Sequence, residues 1–364
     1  MKNGYISYLF DEISGGCAWT QTYTWIHMTG GDTGAPNRGD SPFLQWCGPF
    51  LRAVQGVPFK LKRPVRVLLL RNYNQANSNM SGLDTGDMYG VSDALSRLNL
   101  DFDTLTGRDI AYGPAKLKVD ISQYQLVVIP NLATDQPAEA WQALDRWLRD
   151  PKHAGKRAVA VGKIGNMDAR MQPTTGFPTV AARWLGATDY TGSAPLKGKQ
   201  TVALAGLAAP MTLDFGGVAS VGLPAVGEPL LTAGGAVVAR TTRVAGNAVL
   251  AFGFPLGFAS NYGWASCPVQ KPADALVPLF EAMVTTAGIE RPIVAPANLR
   301  VHLSDDGRFL MARERQGLAT DCTVAVRLPA GVAFPGLALQ RGSDGYARFR
   351  LQLLPWTGAY WKAE

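Results

Sequence analysis

Cysteine and histidine, the side chains most often used as nucleophiles and metal ligands, are few and widely separated in this sequence. They occur as Cys17, Cys47, Cys267, Cys322, His27, His153 and His302. A zinc site needs closely spaced ligands such as a C-x-x-C pair, and the sequence contains none. We therefore expect free thiols that are buried or half-buried, and no metal ion. A Cys17–Cys47 disulfide is the alternative for an exported protein.

A lysine follows a buried-strand pattern at the point where an open α/β domain would place its nucleophile. Residues 65–70, 125–130 and 157–162 are apolar runs with helical stretches between them, which predicts a parallel sheet covered on both faces. After the third run the chain turns at Lys163, where a hydrolytic domain of this topology needs a cysteine. We therefore predict that Lys163 caps the turn or is solvated. The alternative is that it is buried and acts as a general base.

The remaining pattern of residues 65–290 completes one α/β domain. Apolar residues at three-to-four spacing predict helices, and a Gly- and Ala-rich stretch over residues 174–250 predicts an antiparallel extension of the sheet. The expected elements are helices Asp87–Leu98 and Pro137–Leu148, strands Gln200–Leu204, Ala236–Thr241 and Ala248–Phe254, and helix Ala273–Ala287 with Gly288 as its C-cap.

Residues 1–60 cannot form a domain alone, because one strand and two helices bury too little apolar surface. The pattern predicts a helix at 5–13, a strand at 17–28, a polar loop at 29–41 and a helix at 43–54. This order is typical of the last unit of a (β/α)8 barrel. We infer that the chain is truncated or is paired with a missing barrel segment.

Residues 297–364 follow a Pro-rich connector and predict a small β-sandwich. Short runs of alternating polarity are separated by turns such as Asp305-Asp306-Gly307. The expected strands are Leu299–Leu303, Arg308–Arg313, Cys322–Leu328 and Arg348–Leu354.

Composition excludes several classes of partner. The 364 residues are 47% hydrophobic and 17% charged, as in globular proteins, and no apolar run reaches the roughly 18 residues of a membrane span. The net charge of +7 is scattered, which argues against a nucleic-acid groove. No Walker or G-x-G-x-x-G motif is present, so we expect no nucleotide cofactor. The N-terminus lacks the apolar core of a secretory signal, which favours the cytoplasm without settling the compartment.

The order of these parts resembles the C-terminal part of a β-galactosidase of glycoside hydrolase family 42. Residues 15–25 are similar to the eighth strand of that family's catalytic barrel, and residues 64–68 resemble the start of its amidotransferase-like trimerisation domain. Residues 251–255 and 279–291 resemble the strand and helix that close the domain. Residues 301–310 resemble the first hairpin of the small β domain.

The resemblance implies an α/β fold class with a flavodoxin-like, class I amidotransferase-like parallel sheet. A partial (β/α)8 barrel in residues 1–60 would precede the trimerisation domain at 65–290, and a small β-sandwich at 297–364 would follow it. The resemblance also implies a carbohydrate substrate and a homo-oligomer, specifically a trimer.

The carboxylates that would cleave a glycosidic bond are not recognisable in this sequence. Retaining glycosidases need two carboxylates roughly 5 Å apart, and the family supplies both from upstream barrel strands. Before residue 60 the chain offers only Asp11, Glu12, Asp32 and Asp40. The first two are adjacent on a helix and point in different directions, while the others lie in a polar loop. We therefore predict no catalytic residue in this chain.

Trp25 and His27 are the substrate-binding residues that the resemblance implies. Both would lie near the carboxyl end of the eighth barrel strand, which in barrel enzymes faces the active site. They alternate along the strand and so share one face. A tryptophan there can stack on a sugar ring, and the alternative is that each residue packs structurally beneath the following loop.

The predicted function is that of a C-terminal portion or subunit of a β-galactosidase-like glycoside hydrolase in carbohydrate metabolism. The α/β domain would serve mainly for oligomerisation. A non-catalytic protein of carbohydrate binding and assembly is the first alternative, and a degenerate amidotransferase-like protein is the second.

Overall fold

A computed structural model describes residues 49–59, 64–71, 82–112, 120–130, 136–162, 179–188, 196, 198–205, 210–215, 223, 226–257, 276–355 and 357–363. The chain divides into two compact units. One is the α/β unit, Val65–Glu290, and the other combines Met1–Pro64 with Arg291–Glu364.

The α/β unit is built on a nine-stranded sheet of the described residues, in the order β2-β1-β3-β4-β9-β8-β7-β5-β6. Its strands are β1 (Val67–Arg71), β2 (Phe102–Thr106), β3 (Leu126–Ile129), β4 (Ala158–Val161), β5 (Lys199–Leu204), β6 (Met211–Asp214), β7 (Glu228–Ala233), β8 (Ala236–Val244) and β9 (Asn247–Phe252). The first five in this order pair in parallel, and the others extend the sheet with antiparallel pairs. The parallel part has the 2-1-3-4-5 order of a doubly wound sheet.

Helices cover both faces of the parallel strands. They are α1 (Gly82–Arg97), α2 (Gly107–Tyr112), α3 (Ala138–Arg149), α4 (Thr179–Leu185) and α5 (Val277–Thr286). Val67 and Leu69 of β1 enter the core that α1 and α5 cover, whereas Leu68 and Leu70 enter the core that α2, α3 and α4 cover. A strand that is buried on both faces needs apolar residues at every position, which explains the continuous runs in the sequence.

The predicted α/β class with a parallel sheet and an antiparallel extension is confirmed, but strand β2 was not predicted. β2 pairs only with β1 at the edge of the described sheet. Its sequence, Phe-Asp-Thr-Leu-Thr, is half-buried or exposed throughout. An edge strand needs no apolar run, so the run-based pattern does not identify it.

The described part of the other unit contains two antiparallel sheets. Their strands are β10 (Ile293–Val294), β11 (Leu299–Leu303), β12 (Phe309–Glu314), β13 (Thr320–Val326), β14 (Gln340–Arg341), β15 (Ala347–Leu353) and β16 (Gly358–Lys362). The sheet orders are β10-β13-β15-β14 and β11-β12-β16. Both contribute to one apolar core, for example through Val324 and Phe349 of the four-stranded sheet and Leu299 and Val301 of the three-stranded sheet. We call residues 291–363 the β module.

Residues 49–54 are helical and belong to the same unit as the β module. They coincide with the end of the helix predicted at 43–54. The rest of that helix, and the helix, strand and loop predicted over residues 5–41, lie outside the described residues.

Candidate functional site

The residues for which the sequence suggested a chemical role lie outside the described part of the chain. These are Trp25, His27 and Lys163. The last described residue before Lys163 is Gly162, which directly follows β4 and donates its backbone N–H to Ile129 O at 2.9 Å. The carboxyl end of β4 is thus fixed up to the residue before Lys163.

A groove of ≈ 810 Å³ lies on the α/β unit, over α2, α3 and the start of β4. This volume is in the range of small-molecule sites. Apolar side chains line part of it, namely Leu105, Ile110, Ala111, Ile121, Ala143 and Trp147. Charged side chains line another part, namely Asp109, Asp120, Glu139, Asp145, Asp150, Arg146, Arg149 and Arg157. The groove is the candidate site that the described residues offer.

A buried arginine occupies one end of the groove. Arg157, directly before β4, is 2% exposed. Its guanidinium donates to Ser122 O at 2.9 Å and to Trp147 O, and it lies 5.0 Å from the centre of the Trp147 ring. Asp150 Oδ2 is 3.7 Å from Nη1. Burial lowers the pKa of Arg157, and the charges of Asp150 and Asp120 act in the opposite direction.

Asn247 continues this network on the neighbouring strand. It begins β9, is fully buried, and accepts from Arg157 N at 3.1 Å while donating to Leu148 O at 2.6 Å. The last carbonyls of a helix have no partners within the helix and attract positive charge. Arg157 and Asn247 therefore satisfy the end of α3 and join it to β4 and β9.

The carboxylates of the groove accept hydrogen bonds from nearby donors. Asp145 Oδ1 accepts from Trp184 Nε1 at 2.7 Å and from Arg149 Nε at 2.9 Å. Asp109 Oδ2 accepts from the backbone N–H and the hydroxyl of Thr106, both at 2.8 Å. These bonds tie α3 to α4 and β2 to α2. They give the two carboxylates structural roles.

The pKa of Asp120 does not suit a proton donor. Its side chain accepts from Ser122 N at 2.8 Å and caps the short helix Ile121–Gln123. Hydrogen bonds from the Ser122 hydroxyl and backbone lower the pKa of Asp120. The general acid of a glycosidase needs a raised pKa, so Asp120 is unsuited to that role.

Sequence reasoning missed the pair formed by Arg157 and Asn247. The two residues are far apart along the chain; Arg157 directly precedes one otherwise apolar strand and Asn247 begins another. The sequence signal for such a residue is a single polar side chain at the start of a buried strand. From there it can reach only groups at the end of the sheet, so it must have a partner among them. This signal does not identify the partner.

No metal site and no membrane helix occurs in the part of the chain that the structure describes. His, Cys, Asp and Glu side chains there form no group of three that could ligate a metal ion. None of the described helices combines the length and the apolar character required to cross a bilayer.

The fold of the chain is similar to solved β-galactosidase structures of glycoside hydrolase family 42. A catalytic mutant of the enzyme from G. stearothermophilus matches 90% of this chain with a TM-score of 0.58 and 11% identity, over 45% of its own chain. The enzyme from Bacillus circulans sp. alkalophilus matches 90% of this chain with a TM-score of 0.56 and 12% identity, over 46% of its own. This chain therefore spans less than half the length of either structure.

An α-L-fucosidase, isoenzyme 2 from Paenibacillus thiaminolyticus, has a similar fold. It matches 90% of this chain with a TM-score of 0.51 and 13% identity, over 53% of its own chain. No family model and no curated protein matches the sequence. The resemblance predicted from the sequence is confirmed at the level of the fold, which enzymes acting on different sugars share.

Proposed function

We propose that this chain is the C-terminal part of a β-galactosidase-like glycoside hydrolase acting in carbohydrate metabolism. The observation that carries the proposal is the match of 90% of the chain to less than half of a family 42 enzyme. A piece of this kind would supply scaffold to a catalytic barrel. The bond-cleaving carboxylates would come from the missing barrel segment.

In this proposal each region has its own role. Residues 1–60 are the last unit of the barrel and present Trp25 and His27 to the sugar. Residues 65–290 are an amidotransferase-like domain that forms a homotrimer, and residues 297–364 are the C-terminal β domain. A supporting role for the α/β domain agrees with Lys163 at the position of a nucleophile. It also agrees with a groove whose charged groups bind backbone and neighbouring side chains.

The proposal is tested by assaying a chromogenic galactoside with the chain alone and with the chain joined to any barrel segment that its gene encodes upstream. We expect no turnover by the chain alone and turnover when the barrel segment is joined to it. Turnover by the isolated chain would contradict the absence of catalytic carboxylates. Failure of the joined protein to hydrolyse any galactoside would reject the assignment to a β-galactosidase.

Assembly is tested separately by light scattering. A homotrimer has three times the 38.9 kDa of one chain. If the protein has the mass of one chain even at high concentration, the trimerisation role is rejected. The role in carbohydrate hydrolysis is then still decided by the assay above.

The role of Trp25 is tested in the barrel-joined protein. Trp25→Ala should raise KM for the galactoside by about fivefold, because stacking on a sugar ring is worth on the order of 1 kcal/mol. Trp19→Ala is the matched control, since Trp19 lies on the same face of the predicted strand but at its amino end. Equal effects of the two substitutions would count against a sugar contact by Trp25.

A further inference from the structure

The described part of residues 49–59 lies against the three-stranded sheet of the β module. Phe50, Val54 and Phe59 form one apolar cluster with Phe309 and Met311 of β12, and all five are less than 10% exposed. The segment precedes the α/β unit in the sequence and the β module follows it. Contacts across this long sequence separation define a single compact unit.

Aromatic rings pack against one another in this cluster and beside it. The ring of Tyr360 on β16 stacks on that of Phe309, with centroids 5.8 Å apart and an interplanar angle of 11°. Phe50 packs against the same tyrosine at 5.5 Å, tilted by 56°. Phe59 meets Phe309 edge-on at 6.1 Å. Each such pair adds stabilisation beyond the area it buries.

A backbone hydrogen bond fixes the far end of the segment. Asp305 N donates to Pro58 O at 2.8 Å. Asp305 lies in the turn between β11 and β12, so the segment is held at the turn as well as on the sheet. These two attachments are separated along the segment by most of its length, which restrains its direction as well as its position.

The alternation along β12 shows that its sheet has two apolar faces. Leu310 and Ala312 enter the core of the β module, whereas Phe309 and Met311 enter the cluster with Phe50 and Phe59. Every residue of β12 is buried. An antiparallel sheet of a free-standing sandwich commonly leaves one face to water. The second apolar face of this sheet is instead matched to residues 49–59.

We propose that Phe309 and Tyr360 form a seat that positions the last helix of the barrel unit. Through that helix the seat would set the loop and the strand that the sequence predicts before it, and with them Trp25 and His27. Tyr360 is then a positioning residue: it contacts the helix and acts on sugar binding through it. The effect on sugar binding rests on the proposed function. The seat itself rests on the contacts described above.

Hydrogen exchange on the whole chain tests the seat. Tyr360→Ala should accelerate exchange in residues 49–59 by about tenfold, because it removes both ring contacts of Tyr360, and should leave α1 of the α/β unit unchanged. Tyr360→Phe keeps the ring and should restore the original rates. Leu354→Ala is the matched control, since Leu354 is an apolar residue of the same module that is 71% exposed.

Two results would overturn the seat. One is unchanged exchange in residues 49–59 of Tyr360→Ala. The other is an equal acceleration in β11, β12 and residues 49–59, which would mean that the substitution loosens the module as a whole.

The effect on the sugar is tested in the barrel-joined protein. Tyr360→Ala should raise KM for the galactoside by about tenfold with kcat nearly unchanged, and Tyr360→Phe should restore KM. A fall in kcat at constant KM would contradict positioning of a binding residue. If no variant hydrolyses the galactoside, the proposed function fails, while the exchange rates still decide whether the seat exists.

Discussion

Both the α/β unit and the β module bury charged side chains, but Arg157 in the first and Arg350 in the second lie in opposite environments. In the α/β unit the Arg157 side chain is 1% exposed and donates to backbone carbonyls. In the β module the Arg350 side chain is 73% exposed and forms a bidentate pair with Asp321 across β13 and β15. Arg348 forms a similar exposed pair with Asp344.

This difference in burial indicates how much each of the two arginines contributes to the stability of its unit. A buried charge that loses its partners, or leaves them unpaired, costs several kcal/mol, whereas exposed ion pairs contribute little. The polar network of the α/β unit joins strands and helices that are far apart in sequence. The two exposed ion pairs of the β module add little, because the apolar core already holds its strands together.

The sharpest test of this contrast is Arg157→Ala. We expect the free energy of unfolding of the α/β unit to fall by about 3 kcal/mol, because the carbonyls of Trp147 and Ser122 lose a buried donor. Urea unfolding followed by tryptophan fluorescence measures the change. Arg149→Ala, on the exposed face of α3, is the control and should change the value by less than about 0.5 kcal/mol. Similar losses for both variants would refute the contrast.

A second test concerns the tight contact between Gly107 and Gln136. Gly107 N donates to Gln136 Oε1 at 2.9 Å, and a Cβ on residue 107 would lie only 2.2 Å from that oxygen. Gly107→Ala should therefore lower the free energy of unfolding by about 2 kcal/mol.

Combining Gly107→Ala with Gln136→Ala separates the clash from the lost hydrogen bond. The double variant should be close in stability to Gln136→Ala alone, because the oxygen at 2.2 Å is gone and only Cβ of residue 136, at 3.0 Å, remains near the added methyl group. Additive losses in the same urea experiment would show that the contact is not the cause.

Alkaline pH provides a third, smaller effect through Tyr124. This buried tyrosine donates to Asp103 Oδ2 at 2.8 Å, and burial, followed by the hydrogen bond to Asp103, raises its pKa. The folded protein therefore keeps a proton that the unfolded chain releases near pH 10. The resulting stability is complete below about pH 10 and is lost as the pH rises beyond it.

Tyr124→Phe removes this titration. At neutral pH we expect a loss of about 1 kcal/mol from the missing hydrogen bond. Above about pH 10 the wild type should lose stability more steeply than the variant, as measured by urea midpoints across the pH range. Parallel pH profiles would show that Tyr124 does not contribute.

The smallest expected effect lies on the β module. Hydrogen bonds from Arg350 and then Gln352 lower the pKa of Asp321 to about 2. Arg350→Gln should raise that pKa towards the ordinary value of about 3.9, as followed by NMR titration. The contribution of the pair to stability is present above about pH 3.9 and is lost as the pH falls through about 2, and it should be barely measurable.

Asp344 is the internal control for this titration. Its pKa is also lowered to about 2, through Arg348, and should not change in Arg350→Gln. A shift at Asp344 would show that the two pairs are coupled. A large loss of stability in Arg350→Gln would show that exposed ion pairs contribute more to the stability of the β module than their exposure suggests.

The central strands could be predicted from the sequence because they are buried on both faces and therefore carry an apolar residue at nearly every position. The structure places β3 and β4 within the runs at 125–130 and 157–162, and β1 begins in the run at 65–70 and ends one residue beyond it, at Arg71. In the β module, Leu299–Leu303 was predicted with the bounds that the structure gives. The edge strand β2 and the short strands β10, β14 and β16 were not predicted, since few of their residues need to be apolar.

The candidate site could be predicted far less well. Trp25, His27 and Lys163 lie outside the described residues, so their roles stay predictions. The groove around Arg157 is built from the ends of α3, β4 and a short helix. No local pattern links these segments.

The sequence alone determined the central buried segments and whether they form helices or strands, because burial on one or two faces requires a fixed period of apolar residues. The tertiary structure alone decided which distant groups meet. Arg157 joins Asn247, and Phe50 joins Tyr360, because chain folding brings sheet edges and faces together. Such pairings depend on geometry in three dimensions and leave no periodic signal in the chain.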